Sequence, residues 1–317
     1  MANIRSPRRG SMQFYPRKRA KSIIPRINHK VITAGFDEFA GYKAGMTQLM
    51  VTDNGTNSMT KGEEIVMPVT VIECPPMKVM GIRLYKNNIA VGQMNAEQLN
   101  KHLDKRIRMP KAKQKEQTKD FDFLRLLVHT QPYLTTIGQK APDVFEVSMG
   151  AGKEEQLKRA NELLGKEIII NNVFNEGEQL DIHSITKGKG YQGPVKRFGI
   201  GLRSHKSEKT KRGPGSLGGW SAQGHVMYRV AHAGQMGFHQ RTEYNKWLLK
   251  IGTEPKKINP KGGFLHYGII KNNYVLVKGS IGGPAKRLII MTKAIRPRKQ
   301  TPKEAPSIEY ISLESKQ

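Results

Sequence analysis

Short runs rich in apolar and β-branched residues recur along most of the chain, and such runs are typical of β-strands. The runs lie at residues 42–55, 65–73, 77–85, 123–130, 167–174, 179–186, 268–278 and 287–292. The first run ends at the hairpin-type turn Asn54-Gly55, and Pro75-Pro76 separates the second run from the third. Many short strands without a regular strand–helix alternation predict a mainly β fold and favour a closed barrel over a parallel sheet.

Two segments change to a helical period. Residues 95–98, Asn-Ala-Glu-Gln, resemble a capping box, and Leu99, Leu103 and Ile107 follow at helical spacing. Residues 153–164 carry apolar positions on one helical face, and Gly165 supplies a stop signal. Because both segments lie between strand-like runs, we expect an α/β insertion in the β domain at about residues 92–166.

Two further parts of the chain show little periodicity and set the expected domain organisation. Residues 1–36 mix Arg and Lys with Pro, Ser and aromatic residues, a composition that cannot fold by burying itself. Residues 187–250 are rich in Gly, Lys, Arg and His and become periodic only at 242–251. We therefore expect an extended arm at 1–36, a body formed by 37–186 and 251–317, and a long central loop at 187–250, a length that is usually functional or disordered.

The distribution of charge along the chain says more about a binding partner than the net charge does. The formal net charge is +28. Residues 1–36 hold nine Lys and Arg and no acid, 187–250 hold thirteen with two acids, and 278–303 hold eight with none. The rest of the chain is neutral, so a neutral body carries three basic segments, for which a polyanion is the natural partner. The arm alone could be a solvated tail, but the other two segments favour an arm that orders against nucleic acid.

Several classes of protein are excluded or disfavoured. The single cysteine, Cys74, cannot form an internal disulfide framework or a cysteine zinc site, and its strand-like surroundings predict a small core residue. No apolar run approaches the length of about 20 residues that a membrane-spanning helix needs. The basic N-terminal region lacks the apolar core of a secretory signal, and its prolines disfavour an amphipathic transit peptide. We expect a cytoplasmic protein with no membrane partner.

A glycine motif in the central loop invites two interpretations. Residues 188–193, Gly-Lys-Gly-Tyr-Gln-Gly, match the dinucleotide-binding pattern, which also requires a helix immediately after it. Pro194 and a short basic segment follow instead. The favoured interpretation is that these glycines let the backbone approach an RNA phosphate chain, while neighbouring lysines neutralise its charge.

The histidines and the tryptophan of the loop also have competing interpretations. His205, His225, His232 and His239 lack the spacing and the acidic partners of metal or catalytic sites, which favours hydrogen bonding or stacking with RNA. Trp220 follows a basic, glycine-rich stretch. It could stack on a nucleic-acid base or fold back onto the protein, and composition alone does not separate these two outcomes.

Longer motifs resemble the L3 family of large-subunit ribosomal proteins. The segment Thr186-Lys-Gly-Lys-Gly-Tyr-Gln-Gly-Pro-Val-Lys-Arg197 is similar to the signature of that family. The segments at 218–220, 225–230 and 233–245 resemble the archaeal and eukaryotic branch of that family. The segments at 7–11 and 41–47 also fit. The resemblance spans nearly the whole chain, and the short segment at 212–219 suggests the archaeal type.

The resemblance implies a fold and a function. The fold would be a six-stranded β-barrel of the translation-protein type with an α/β insertion and long basic extensions that penetrate RNA. The protein would be a structural constituent of the large ribosomal subunit in the cytoplasm. It would bind the 23S-type RNA near its 3′ end, nucleate assembly, and extend its loop toward the peptidyl-transferase centre with Gly218, Gly219 and Trp220 at the tip. It would have no catalytic residue, and its neighbours would include proteins of the L14 and L24e families.

The basic segments and the matching motifs together supply the candidate RNA-binding residues. They are Arg5, Arg8, Arg9, Arg17, Lys18, Arg19, Lys187, Lys189, Lys196, Arg197, Arg203, His205, Lys209, Lys211, Arg212, His225, Arg229, His239, Arg241, Lys286 and Arg287. We expect no cofactor, no protein-bound metal and no small-molecule substrate, with any structural Mg²⁺ or K⁺ held mainly by the RNA. The alternative is an RNA-modifying enzyme with basic arms, which would require a cofactor site or an acid in the basic region.

Overall fold

A computed structural model describes residues 9–29, 35–109, 120–218 and 224–314, and it is mainly β, as predicted. Within these ranges the strands are β1 (Glu38–Thr52), β2 (Glu64–Glu73), β3 (Met77–Lys86), β4 (Ile89–Asn95), β5 (Phe123–His129), β6 (Val144–Ser148), β7 (Glu167–Ile168), β8 (Gln179–Ile185), β9 (Gly190–Gln192), β10 (Gly234–Met236), β11 (Gln240–Gly252), β12 (Tyr274–Lys278), β13 (Leu288–Lys293) and β14 (Ile308–Ile311). The α-helices are α1 (Lys153–Leu163) and α2 (Pro194–Phe198). Short 3₁₀ helices lie at Met12–Phe14, Lys101–Lys105, Pro132–Leu134, Ile170–Asn172 and Pro255–Lys257.

The chain divides into two compact units. Ile23–Ile185 and Arg241–Gln317 form the larger unit, hereafter the body. Met1–Ser22 and Thr186–Gln240 form the smaller one, hereafter the arm–loop unit. Two segments that are far apart in sequence therefore share one unit.

The main sheet of the body has the strand order β13-β8-β11-β12-β2-β1-β14, and β13 pairs with β1 as well. Strands β1 and β2 contribute apolar side chains such as Phe39, Leu49 and Val71 to the core, and each of these is almost fully buried. Phe39 lies opposite Met291 on β13, and Val71 lies opposite Leu276 on β12. Cys74, which follows β2, is buried in the same core, as its surroundings in the sequence predicted.

A second sheet is formed by strands between Met77 and Ile168, a longer stretch than the insertion predicted at about 92–166. Its strand order is β4-β3-β5-β6, and β7 also pairs with β3. Helix α1 packs against β3 and β5 and buries Ala160 completely. Glu154 and Glu155 lie in its first turn, where they oppose the positive end of the helix dipole. Gly165 follows the helix with φ of 79°, so the prediction of a helix at 153–164 with a glycine stop is confirmed.

The other predicted helix, at residues 95–107, is wrong. Asn95 ends strand β4 and lies opposite Gly81 of β3. Only the five-residue 3₁₀ helix Lys101–Lys105 follows, and its cap is the side chain of Asn100, which accepts from the His102 N–H at 3.0 Å. Pairing of this segment with the edge of the sheet outweighs a local signal that was only three apolar residues long.

Two predicted strands are shorter than their sequence runs. The run at 167–174 forms only β7 and then turns into the 3₁₀ helix Ile170–Asn172, which buries Ile170. The run at 268–278 becomes a strand only at Tyr274. Lys271 and Asn272 instead donate their backbone N–H groups to Oε1 of buried Glu73, at 2.8 and 2.9 Å. A buried carboxylate needs such donors, so the backbone curls around it instead of pairing. Strands β4, β6, β9, β10 and β14 were not predicted, and β11 was predicted only as a periodic segment at 242–251.

Candidate nucleic-acid interface

The base of the central loop is closed by hydrogen bonds between its two ends. The Thr186 N–H donates to the His239 carbonyl at 3.0 Å, and the His239 N–H donates to Thr186 Oγ1 at 3.1 Å. Just beyond, β9 and β10 pair antiparallel, with Tyr191 opposite Gln235. Gly237 has φ of 71°, and a Cβ there would lie 2.1 Å from the Lys187 carbonyl oxygen, so only glycine lets the two chain segments approach this closely.

The glycine motif leads into helix α2, which is only five residues long. Gly193 is its N-cap, Pro194 is its first residue, and Gly199 ends it with φ of 67°. A helix of this length does not supply the long, aligned dipole on which dinucleotide recognition depends. The prediction that no helix long enough for dinucleotide binding follows the motif is confirmed.

Two consecutive basic residues of α2 have different surroundings. Lys196 is exposed, whereas Arg197 is half-buried. Arg197 donates from Nε to the Gln235 carbonyl at 3.0 Å and from Nη1 to the His232 carbonyl at 2.9 Å. Its guanidinium also lies 3.0 Å from the position that a Cβ on Gly234 would occupy. Arg197 therefore ties α2 to the returning segment of the loop.

The arm joins the loop through a second arginine. The Arg17 guanidinium lies over the Phe198 ring, 4.2 Å from its centroid, and donates from Nη1 to the Arg197 carbonyl at 3.2 Å. Arg197 reaches back from Nη2 to the Arg17 carbonyl at 3.4 Å. Stacking of a guanidinium on an aromatic face contributes about 0.5–2 kcal/mol, more where water is excluded. These contacts order the arm against the loop within the arm–loop unit.

The end of the arm is fixed at the loop base. Nδ1 of His239 lies 2.9 Å from the Lys18 carbonyl oxygen, and the Ala20 N–H donates to the Phe238 carbonyl at 2.8 Å. His239 is buried. The backbone of the arm therefore follows the loop, while the neighbouring Lys18 and Arg19 side chains are exposed.

The outer part of the loop is held by its own backbone and by Arg203. The Arg203 N–H donates to the Lys211 carbonyl at 3.1 Å, and its guanidinium binds the Pro214 carbonyl. The Met227 N–H donates to the Leu217 carbonyl at 3.4 Å. Most other side chains in this part are exposed.

The candidate RNA-binding residues fall into four groups by their surroundings. Exposed side chains belong to Arg9, Lys18, Arg19, Lys187, Lys189, Lys196, Arg203, His205, Lys209, Lys211, Arg212, His225, Arg229 and Lys286. Half-buried side chains belong to Arg17, Arg197, Arg241 and Arg287, and His239 is buried. Arg5, Arg8, Gly219 and Trp220 lie outside the described residues, and Gly218 is the last described residue before the tip. Arg241, Lys286 and Arg287 belong to the body, and the rest to the arm–loop unit.

Two aromatic residues of the loop were missed by sequence reasoning. Tyr191 is 77% exposed on β9, and Tyr228 is 76% exposed. Exposed aromatic faces among basic side chains are the usual platform for unpaired bases. The signal was present, because Tyr191 lies between Lys189 and Lys196 and Tyr228 precedes Arg229.

The two acids of the long basic stretch do not assemble a reactive site. Glu208 is exposed in the loop. Glu243, in the body, accepts from the Gly282 N–H at 2.7 Å and forms an ion pair with Lys246 at 2.8 Å. Among the described residues no group of three or more His, Cys, Asp and Glu side chains could hold a metal ion. In those same ranges no helix has the length and apolar character needed to cross a membrane.

Comparisons with known proteins agree with the motifs. A family profile described as Ribosomal protein L3 matches residues 1–123 and 92–317. A protein named large ribosomal subunit protein uL3 from Methanothrix thermoacetophila is 46% identical, with 100% of this chain and 99% of that protein covered. The protein of the same name from Archaeoglobus fulgidus is 49% identical, with 98% of each chain covered. That from Methanocaldococcus jannaschii is 45% identical over 99% of this chain and 98% of its own.

Proposed function

The chain belongs to the ribosomal protein L3 family, and from this membership we propose that it holds large-subunit ribosomal RNA with its arm and central loop. Proteins of this family are structural components of the large ribosomal subunit in the cytoplasm rather than enzymes. The archaeal relatives are named as proteins of the large ribosomal subunit, which supports a role for this chain in translation as an RNA-binding ribosomal protein.

One observation carries the proposed use of the arm–loop unit. Its sequence holds seventeen Lys and Arg and a single acid, Glu208. Most of its described basic side chains are exposed, while Arg17 and Arg197 hold the fold together from inside. An excess of exposed positive charge on an ordered scaffold is what phosphate recognition requires, because each neutralised phosphate releases counterions.

The proposed RNA region lies near the 3′ end of the 23S-type RNA, where binding would nucleate subunit assembly. The loop would extend toward the peptidyl-transferase centre, with Gly218, Gly219 and Trp220 at its tip. Peptide-bond chemistry would belong to the RNA. Mg²⁺ or K⁺ would be held mainly by RNA phosphates, and neighbouring proteins would come from the L14 and L24e families.

We also propose the specific architecture of the body. Six strands, β1, β2, β12, β11, β8 and β13, succeed one another in the pairing order, and β13 pairs with β1. This order supports a closed six-stranded barrel of the translation-protein type. Closure would remove the free edges that an open sheet would expose.

Ultraviolet crosslinking in cells tests the proposed RNA partner. Crosslinked RNA should be concentrated in the large-subunit ribosomal RNA near its 3′ end, on peptides from 1–36 and 187–250. The chain should also sediment with the large subunit through a wash of moderate salt. Reads scattered over transfer or messenger RNA, or protein found only free of ribosomes, would contradict the proposal.

The role of the tip is tested separately with Trp220→Ala. Because the tip is distant in sequence from the core residues of the body, the variant should keep the wild-type melting temperature and still enter ribosomes. Aminoacyl-tRNA binding at the ribosomal A site should be slower or weaker. Tyr310→Ala, an exposed aromatic of the body that is not among the candidate RNA-binding residues, is the matched control. Unchanged A-site function in Trp220→Ala would remove the tip assignment and leave the RNA-binding proposal intact.

A further inference from the structure

The body contains a cavity of about 510 Å³ that none of the candidate RNA-binding residues lines. It lies among the turn after β1, the middle of β11, the end of β12 and the segment 298–306. Its volume falls in the range of roughly 300–1,000 Å³ that is usual for sites of small ligands. The cavity therefore has room for a single nucleotide.

Two exposed cations stand in the wall of this cavity. Lys278 Nζ lies 5.5 Å from the centroid of the Trp247 ring. Arg298 is fixed through its backbone, because its N–H donates to Gln179 Oε1 at 2.9 Å and its carbonyl accepts from Gln179 Nε2 at 2.8 Å. Neither Lys278 nor Arg298 forms an ion pair with a described residue. Both belong to the basic segment 278–303, which contains no acid.

The acid in the same wall is hydrogen-bonded within its own turn. Asp53 accepts hydrogen bonds from the Ser58 hydroxyl, from Thr60 Oγ1 at 2.7 Å and from the Gly55 N–H at 2.9 Å. These bonds, that of Ser58 first, lower the pKa of the Asp53 carboxyl, and the positive charge of Lys278 acts in the same direction. Lys278 and Arg298 form no ion pair with Asp53, and together they outnumber this one acid in the wall.

An aromatic ring also faces outward at the cavity. Tyr244 lines it and is 62% exposed. The next residue, Asn245, has φ of 56°, and its N–H donates to Oδ1 of buried Asp181 at 2.9 Å. Such left-handed backbone costs free energy in a strand and persists where surrounding contacts enforce it, often at functional positions. The kink is therefore maintained beside the exposed ring by a buried carboxylate.

Polar side chains in the wall can contact the edge of a base. The hydroxyl group of Thr301 and the amide group of Gln300 line the cavity. Such groups offer the polar edge contacts that a nucleobase uses.

We propose that this cavity binds one unpaired nucleotide of the large-subunit RNA, with its base on Tyr244 and its phosphate held by Lys278 and Arg298. The inference rests on the proposed function, and it adds an RNA contact formed by residues of the body. A nucleotide is favoured over an acidic peptide because the wall combines an exposed aromatic face, polar side chains and two exposed cations. A peptide carboxylate would use only the cations.

Binding of the full-length chain to a transcript of large-subunit RNA, measured by filter binding between 50 and 200 mM salt, separates the two contacts. Tyr244→Ala should lower the affinity about tenfold at every salt concentration, because base stacking is uncharged. Arg298→Gln should lower the affinity and reduce the slope of log K against log salt by about one, because one phosphate contact is lost. Matched controls are Tyr310→Ala, 52% exposed and outside the cavity, and Lys61→Gln, an exposed cation outside it.

The outcomes distinguish this inference from the proposed function. If wild-type protein fails to bind the transcript, the proposed function fails, and this inference fails with it. If wild type binds but Tyr244→Ala and Arg298→Gln match their controls, only the nucleotide site is overturned. Circular dichroism and the melting temperature establish that each variant is folded before its affinity is interpreted.

Crosslinking of assembled large subunits identifies the occupant directly. Ultraviolet irradiation followed by mass spectrometry should yield a peptide that carries a nucleotide on Tyr244. Chemical probing should show one short unpaired stretch of RNA that becomes reactive with Tyr244→Ala and stays protected with Tyr310→Ala. A crosslink from Tyr244 to another protein, or unchanged reactivity of the RNA, would overturn the proposal.

Discussion

Basic side chains that are neighbours in the sequence perform different tasks in the arm–loop unit. Lys196 is exposed to solvent, while the guanidinium of Arg197 donates hydrogen bonds to the carbonyls of Gln235, His232 and Arg17. Arginine suits this position because its planar group presents several donors in fixed directions, which a lysine ammonium does not. Charge alone thus locates an RNA-binding segment without telling which of its cations face the RNA.

This difference predicts opposite behaviour for two adjacent substitutions. Arg197→Lys should lower the local stability of the arm–loop unit by about 1–3 kcal/mol, because half-buried carbonyls lose their donors. Hydrogen exchange of the β9 and β10 amides in the free protein measures this loss. Lys196→Ala should leave that exchange within about 0.5 kcal/mol of wild type and weaken RNA binding instead. Equal protection in Arg197→Lys and wild type would show that Arg197 does not hold the loop.

The sequence predicts residues such as Cys74 well, because burial of a small apolar side chain depends on its strand alone. It does not predict the role of Arg17, whose contact with Arg197 joins residues 180 positions apart. Motif reading also passed over Tyr191, since a single aromatic in a glycine-rich segment carries no periodic signal. Contacts between residues that are far apart in the sequence, rather than residue type, decide whether such a role can be predicted.

At the scale of elements, the regular periodicity of the body predicts strands and helix α1, and buried polar groups explain where it fails. The backbone N–H groups of Lys271 and Asn272 bind the buried Glu73 carboxylate instead of pairing in the strand that the sequence predicts. His183 does the reverse and reinforces pairing, because it joins three neighbouring strands. Nδ1 of His183 lies 3.0 Å from Thr242 Oγ1 on β11, and Nε2 lies 3.2 Å from Thr292 Oγ1 on β13.

The burial of His183 predicts a pH dependence of stability. Burial lowers its pKa below the ordinary value of 6.5, although Asp181 and Glu38 act in the opposite direction. The unfolded chain therefore takes up a proton before the folded one does as the pH falls through 6.5. Stability is full above that pH and declines below it, with a slope of up to about 1.4 kcal/mol per pH unit for one proton.

Urea unfolding of the full chain from pH 8 to pH 5 measures this decline. His183→Gln should be less stable than wild type at pH 8, since it loses a cross-strand contact, yet lose less stability on acidification. His129, whose pKa burial also lowers, leaves part of the slope in the variant. An identical slope in wild type and His183→Gln would contradict this assignment.

At the scale of the whole molecule, charge is divided unequally between the two units. The arm–loop unit holds seventeen basic residues against one acid, whereas the body holds thirty-seven against twenty-five. The basic segments were evident from the sequence, but their union in one compact unit was not, because no local pattern links residues 9–22 to 186–240. The strand pairing that connects β13 to β1 is likewise a long-range property.

This division predicts a steep dependence of RNA binding on salt that originates mainly in the arm–loop unit. Between 50 and 200 mM salt the affinity of the full chain for a large-subunit RNA transcript should fall about 10³- to 10⁵-fold, as expected for 6–10 phosphate contacts. Replacing the exposed Lys187, Lys189 and Lys196 together by Gln should reduce the slope of log K against log salt by about 2–3. The slope should be unchanged when Lys101, Lys105 and Lys158 of the insertion are replaced instead. Equal slopes for the two triple variants would contradict the division.

The hydrogen-bonded base between Thr186 and His239 also has an evolutionary consequence. Because the two ends of the loop are fixed to each other, the chain between them closes on itself whatever its length. Loop-closure entropy grows only logarithmically, by roughly 0.6 kcal/mol for each doubling of length. Insertions and deletions in the exposed outer part of the loop, between α2 and β10, can therefore accumulate among descendants of this gene without loss of the ancestral body, so that loop length and thermal stability evolve independently.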